Sequence, residues 1–151
     1  GHLEQSVFLE EIYSIISGQP PEINLANEKN NGESVLELIN NDLVDSVHDV
    51  SSGGLIIALA EMSIGSNHGV KIIKPKKLTN LIEYFFGEDQ SRYILEVNKK
   101  NIEKVEKLLK NNNIFYEKIG STQKDFFEIE DELKIDIKEL YKINNQWYNN
   151  Y

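Results

Sequence analysis

Residues 44–62, VDSVHDVSSGGLIIALAEM, constrain the fold of this chain more than any other stretch. A short apolar run ends in His48-Asp49, passes through Ser51-Ser52-Gly53-Gly54 and enters a segment with no further breaker. Strand, tight turn and helix start therefore follow one another directly. Ser51 or Ser52 is placed to cap the helix, in which Leu55, Ile56, Leu59, Ala60 and Met62 would face a core. Ile57 and Ala58 are apolar too, so the helix should be buried on most of its circumference. A Gly-rich helix entry presents unpaired N–H groups at the positive end of the helix dipole and can hold a phosphate or carboxylate. The same geometry serves equally as a close-packed structural turn.

The chain has 151 residues, with 40% hydrophobic and 9% aromatic side chains, enough for one globular domain covering residues 1–151. Cysteine is absent, which excludes disulfides and thiolate metal sites. No apolar run approaches the roughly 20 residues that span a bilayer, and GHLEQS lacks the character of a signal peptide. A soluble, cytoplasmic protein is expected. The formal net charge of −9 opposes binding to the nucleic-acid backbone.

Residues 6–16 carry Val7, Phe8, Ile12, Ile15 and Ile16 at helical spacing behind a capping Ser6, and Gly18 with Pro20-Pro21 should stop that helix. Residues 25–39 read as a helix whose second half is the better defined. Residues 44–50 and 70–73 read as strands, 78–86 as a helix with Leu78, Leu81, Ile82 and Phe85 inward, and 93–97 as a half-buried strand. A helix over 99–109 follows, then strands over 114–119 and 126–129 joined near Gly120-Ser121, and a last helix over 135–148 with Leu140, Ile143 and Trp147. The strand at 93–97, its following helix and the strand at 114–119 make one βαβ unit. The expected class is α+β, a mixed sheet with packed helices, partly ferredoxin-like.

HDVSSGGLIIALAEM at 48–62 closely resembles the HDVSDGGL-type segment of C-terminal domains in the aminoimidazole ribonucleotide synthase superfamily. GHLEQSVFLEEI at 1–12, PPEINLANE at 20–28, FGEDQSRYILEV at 86–97 and KIDIKELYKINNQWYNNY at 134–151 resemble the final part of phosphoribosylformylglycinamidine synthases, large-subunit type, in their small bacterial form. The shorter aminoimidazole ribonucleotide synthases fit less well, because the EDQSR element and the aromatic tail favour the larger enzymes. The resemblance runs nearly end to end. It implies the last domain of a ligase of purine biosynthesis that uses ATP, Mg²⁺ and ammonia to turn formylglycinamide ribonucleotide into the amidine. The implied partners are the preceding domains, a glutaminase and a small accessory subunit. The family's catalytic histidine, main Mg²⁺ carboxylates and GNVSLYNE-like segment belong to earlier domains, so this chain should be inactive alone and bind no cofactor tightly.

Asp49, Ser51, Gly53 and Gly54 read either as a structural turn or as the wall of a nucleotide or phosphate cleft. Ser52 stands where the family often has Asp, and Glu4 where it tends to have Gly. Glu88, Asp89 and Gln90 match the second copy of an acidic-Gln element, implying the border of an auxiliary nucleotide site; as loop residues they could equally be solvated, with Arg92 paired to Glu88 or Asp89. His48 and His68 form no ligand cluster, and no metal site is expected. Lys71, Lys74, Lys76 and Lys77 read as a solvated edge or as an interface with preceding domains. Without the resemblance, the same turn would suit a stand-alone ferredoxin-like module that binds a small anion or a protein partner.

Overall fold

A computed structural model describes residues 1–77, 80–146 and 148. The chain divides into two compact units, Gly1–Ala58 with Ile82–Glu117, and Leu59–Leu81 with Lys118–Tyr151.

In the first unit, α1 spans Val7–Tyr13 and α2 spans Leu25–Asn40. Ser6 Oγ caps α1 through Leu9 N at 3.3 Å, and Asn24 Oδ1 caps α2 through Asn27 N at 3.0 Å. Each such cap satisfies an otherwise orphaned donor and stabilises its helix by about 1 kcal/mol. Strand β1 (Ser46–Asp49) feeds the Gly-rich turn. From that turn α3 (Gly54–Ser66) starts, its first five residues belonging to this unit. Later in the chain α4 (Leu81–Phe86) leads to β3 (Tyr93–Glu96), a 3₁₀ turn at Lys99–Asn101 and α5 (Ile102–Asn111). Strands β1 and β3 pair antiparallel, with Asp49 opposite Tyr93 and Ser46 opposite Glu96. Leu38 of α2 meets Val105 and Leu109 of α5 in a buried cluster, and Leu43, Val44, Leu95, Val97, Ile114 and Tyr116 pack around it. Burying each such side chain contributes about 1.5–3 kcal/mol.

The second unit is built on a four-stranded mixed sheet. Its strands are β2 (Gly69–Ile72), β4 (Gly120–Gln123), β5 (Phe126–Ile129) and β6 (Leu133–Asp136), in the order β4-β2-β5-β6. Strand β2 runs antiparallel to β4 and parallel to β5, and β6 returns antiparallel along β5. The register sets Val70, Ile72, Phe127 and Ile129 on one face, where Ile72 and Phe127 are fully buried. Alternation then places Lys71, Glu128 and Lys134 in one row on the opposite face. There Lys71 Nζ lies 3.2 Å from Glu128 and Lys134 Nζ 3.5 Å from the same carboxylate. Asp136 Oδ1 caps α6 (Ile137–Asn145) through Lys138 N at 2.8 Å.

The α+β class with a mixed sheet and packed helices is the one expected from sequence. Several elements differ. Helix α1 stops at Tyr13, because Ser14 adopts a left-handed conformation and the N–H groups of Ser14 and Ile15 return to the carbonyls of Glu10 and Leu9. Ile15 and Ile16 thus lie outside the helix and exposed. Helix α2 is continuous through Gly32, with Ser34, Val35 and Leu38 as its buried face, whereas Leu25, Leu36 and Ile39 are exposed. The helix expected over 78–86 covers only Leu81–Phe86; Leu78 lies outside the described residues.

Residues 114–119 form no strand, so the expected βαβ unit is not made: β3 pairs with β1 instead. After Asn113, with φ of 55°, the chain lays Ile114 and Tyr116 onto the α2–α5 cluster rather than beside a strand. Gly120-Ser121, expected as a connection, begins strand β4. The last helix starts at Ile137, after a strand that the sequence reading missed; Trp147 lies outside the described residues.

Candidate functional site

The turn after β1 takes its shape from two successive glycines in left-handed conformation, Gly53 with φ of 79° and Gly54 with φ of 72°. A Cβ on Gly54 would sit 2.7 Å from the Phe86 carbonyl carbon and 2.8 Å from the carbonyl oxygens of Phe85 and Gly87. Only glycine permits both this backbone conformation and so close an approach to the end of α4.

Glu88 follows α4 and closes this region. Its Oε1 accepts from Gly53 N at 2.7 Å and from Val7 N at 2.9 Å, and its own N–H donates to the His2 carbonyl at 3.0 Å. Gly54 N donates to the Ser51 carbonyl at 3.0 Å. The amides of Gly53 and Gly54, which an anion entering this turn would use, are therefore engaged by the chain itself, the first of them by a carboxylate. Asp89 Oδ2 accepts from His2 N at 3.0 Å and lies 3.6 Å from Arg92 Nη2. Arg92 donates through Nη2 to the Gly87 carbonyl and through Nε to that of Asp89, at 3.3 Å for the latter. Burial pushes the pKa of the Arg92 guanidinium down, against the opposing pull of Asp89 and Tyr84. Tyr84 is pushed up to about 12, first by burial and then by the negative charge of Glu117, whose carboxylate is 3.4 Å from its hydroxyl.

Beside the turn, in the same unit, lies a hollow of about 110 Å³ lined by Glu28, Asp49, Val50, Ser51, Gln90, Ser91, Arg92 and Tyr93. It is held by the β1–β3 register, which sets Asp49 against Tyr93, and by Val50 N donating to the Arg92 carbonyl at 2.9 Å. Ser91 is left-handed, with φ of 64°; its hydroxyl donates to Glu28 and its carbonyl accepts from Asn31 Nδ2 at 2.8 Å. The Tyr93 phenol is raised by burial and by the charges of Glu28 and Asp49. At about 110 Å³ the hollow falls below the roughly 300–1,000 Å³ of pockets that enclose a small molecule.

The residues singled out from sequence thus separate into two groups. Asp49, Ser51 and Gln90 line the hollow, whereas Gly53, Gly54, Glu88 and Asp89 are engaged in the turn and its ties to the N-terminal segment. Glu28, Ser91 and Tyr93 were not singled out; Glu28 comes from the far-off helix α2, and no local spacing signals its arrival. Arg92 pairs with Asp89 and not with Glu88. Glu4 Oε2 accepts from Gln19 N at 2.8 Å. His48 Nδ1 is 2.6 Å from the Asp49 carbonyl oxygen and His68 Nδ1 2.8 Å from that of Ser66. Lys71 and Lys74 are ion-paired, Lys74 with Glu132 at 2.6 Å. Among the described residues no three His, Asp or Glu side chains come together as a metal-binding group.

A mixed sheet with packed helices and a Gly-Gly turn leading from strand to helix define a class that the comparisons with known proteins identify. The profile described as "AIR synthase related protein, C-terminal domain" matches residues 3–131, and the chain belongs to this family. Over all 151 residues it is 45% identical to the phosphoribosylformylglycinamidine synthase subunit PurL of Pelagibacter ubique (strain HTCC1062), of which it covers 21%. The chain spans about a fifth of the length of the curated relatives it matches. Among solved structures, PurLQS from Thermotoga maritima superimposes with a TM-score of 0.67 at 17% identity, over 88% of this chain and 24% of the other. T. maritima PurL complexed with ATP gives a TM-score of 0.66 at 16% identity, over 93% of this chain and 24% of the other. At these identities the solved structures establish the shared fold.

Proposed function

We propose that residues 1–151 are the last domain of a phosphoribosylformylglycinamidine synthase, an ATP-dependent ligase of purine biosynthesis. The observation that carries this reading is 45% identity to a PurL subunit along the whole chain, although the chain is only 21% of that protein's length. The complete enzyme would phosphorylate the amide oxygen of formylglycinamide ribonucleotide and let ammonia displace it, giving the amidine. ATP and Mg²⁺ would be held mainly by residues outside this chain, and ammonia would come from a glutaminase subunit in a complex that includes a small accessory subunit. A cytoplasmic location belongs to the same reading.

Within that enzyme this domain contributes wall and packing rather than reacting groups. The hollow at Asp49, Ser51 and Gln90 is a part of the surface open to a ligand shared with the rest of the enzyme, whereas Gly53, Gly54, Glu88 and Asp89 hold the backbone that shapes it. Two features support this division: the hollow is too small to enclose a nucleotide, and the turn amides are already engaged.

An assay of the isolated chain with ATP, Mg²⁺, formylglycinamide ribonucleotide and ammonia tests the reading. No turnover is expected, and measurable amidine formation would overturn it. Calorimetric titration with ADP and Mg²⁺ separates the two roles of the turn. Binding abolished by Asp49→Ala would assign the hollow to nucleotide, whereas no binding to the intact chain is the result expected of a single wall.

A further inference from the structure

Four of the five residues 12–16 are large, apolar and exposed: Ile12 at 64%, Tyr13 at 55%, Ile15 at 44% and Ile16 at 71%. This run is held in place at both ends. Upstream it is the last turn of α1, and Ile15 N is bonded to the Leu9 carbonyl at 3.1 Å. Downstream, Ser17 accepts from Gln5 N at 3.2 Å, Gly18 from Gln5 Nε2 at 3.1 Å, and Gln19 N donates to Glu4 at 2.8 Å. An ordered run of exposed large apolar side chains is the mark of an interface rather than of a solvated loop. The segment that carries it is acidic. Residues 1–28 contain Glu4, Glu10, Glu11, Glu22 and Glu28 and not one Lys or Arg, and Glu10, Glu11 and Glu22 are exposed. A second copy would bring like charges together, so the complementary surface is apolar at its centre and basic at its rim.

We infer that Ile12, Tyr13, Ile15 and Ile16 form the surface on which the remainder of a longer polypeptide docks, through an apolar patch rimmed by Lys or Arg. This rests on the reading above: relatives aligned with the whole chain are about five times its length, so most of their surface lies outside it. Hydroxyl-radical footprinting tests the inference, comparing the isolated chain with the longer polypeptide that contains it. Labelling of Ile12, Tyr13 and Ile16 should fall about fivefold in the longer protein, as expected when a patch becomes an interface core. The Ile12→Lys/Ile16→Lys double variant should restore labelling at Tyr13 there and leave the melting temperature of the isolated chain unchanged.

Equal labelling in the two proteins would overturn the docking surface while leaving the proposed function standing. Protection that appears in the isolated chain as its concentration rises would overturn it in favour of self-association. The functional reading fails by a different measurement: turnover by the isolated chain, or a native protein whose intact mass is that of the 17.4 kDa chain alone, which would remove the docking partner as well.

Discussion

The Glu88 carboxylate accepts from the amide of Gly53 at 2.7 Å, and the same oxygen accepts from Val7 at 2.9 Å. One side chain thereby fastens the Gly-rich turn, 35 residues upstream, to the start of α1, 81 residues upstream. The positive potential of a helix start is answered here by an internal anion.

Removing that anion should loosen both partners. Each hydrogen bond to a charged acceptor contributes about 1.5–3 kcal/mol where water is excluded and less where it is not. Glu88→Ala is expected to destabilise the chain by about 2–4 kcal/mol, and Glu88→Gln, which keeps an acceptor oxygen, by about half as much. Urea unfolding at neutral pH measures both.

Gly54 tolerates no side chain. Gly54→Val combines a left-handed backbone with a Cβ set against the carbonyls of residues 85–87, and should cost at least about 3 kcal/mol. Gly65 provides the contrast. It lies near the end of α3 with nothing within 4 Å of a built Cβ, so Gly65→Ala should raise stability by up to about 1 kcal/mol. Thermal melts of the two variants should shift in opposite directions.

Alkaline stability should report on Tyr84. Its folded-state pKa is raised to about 12, above the ordinary value of 10.0, so the folded protein holds the phenolic proton more tightly than the unfolded chain. The associated stability is fully present below about pH 10 and is lost as the pH rises towards 12. In Tyr84→Phe this alkaline loss should be smaller, and the spectrophotometric titration should lack the phenol with a midpoint near 12.

Glu128 should give the opposite limb. Lys71 and then Lys134 hold its carboxyl below the usual range, so the stability it contributes is present at neutral pH and lost as the pH falls through its folded-state value. Glu128→Gln should flatten the acid limb of the stability curve measured by denaturation between about pH 3 and 6.

Much of the fold was legible because its signals are local. The breaker-free run after Gly53-Gly54 marks α3, Ser6 marks the start of α1, and the alternation at residues 93–96 marks β3. Strand β4 was missed because GSTQ has no apolar residue to alternate, and β6 because LKID, although it alternates, is only four residues long and runs directly into α6; pairing with β2 and β5 makes them strands. Residues 114–119 erred the other way: they are rich in apolar and aromatic side chains, but Ile114 and Tyr116 pack on a helical cluster and the segment forms no strand. At the candidate site, Asp49, Ser51 and Gln90 were found from their motifs. Glu28 arrives from α2, and only the fold brings it to the hollow.

By itself the sequence determined that the chain enters a helix through two glycines after a short strand, because that conformational demand is written in neighbouring residues. It also carried the family, since segments spread from residue 1 to residue 151 match in order. Only the tertiary structure decided what the glycine turn holds. An anion-ready helix start and a carboxylate 35 positions away look unrelated along the chain, and their 2.7 Å contact engages the Gly53 amide within the chain itself. The physical reason is that amide donors are satisfied by whichever acceptor the fold brings closest, and distance along the sequence says nothing about that.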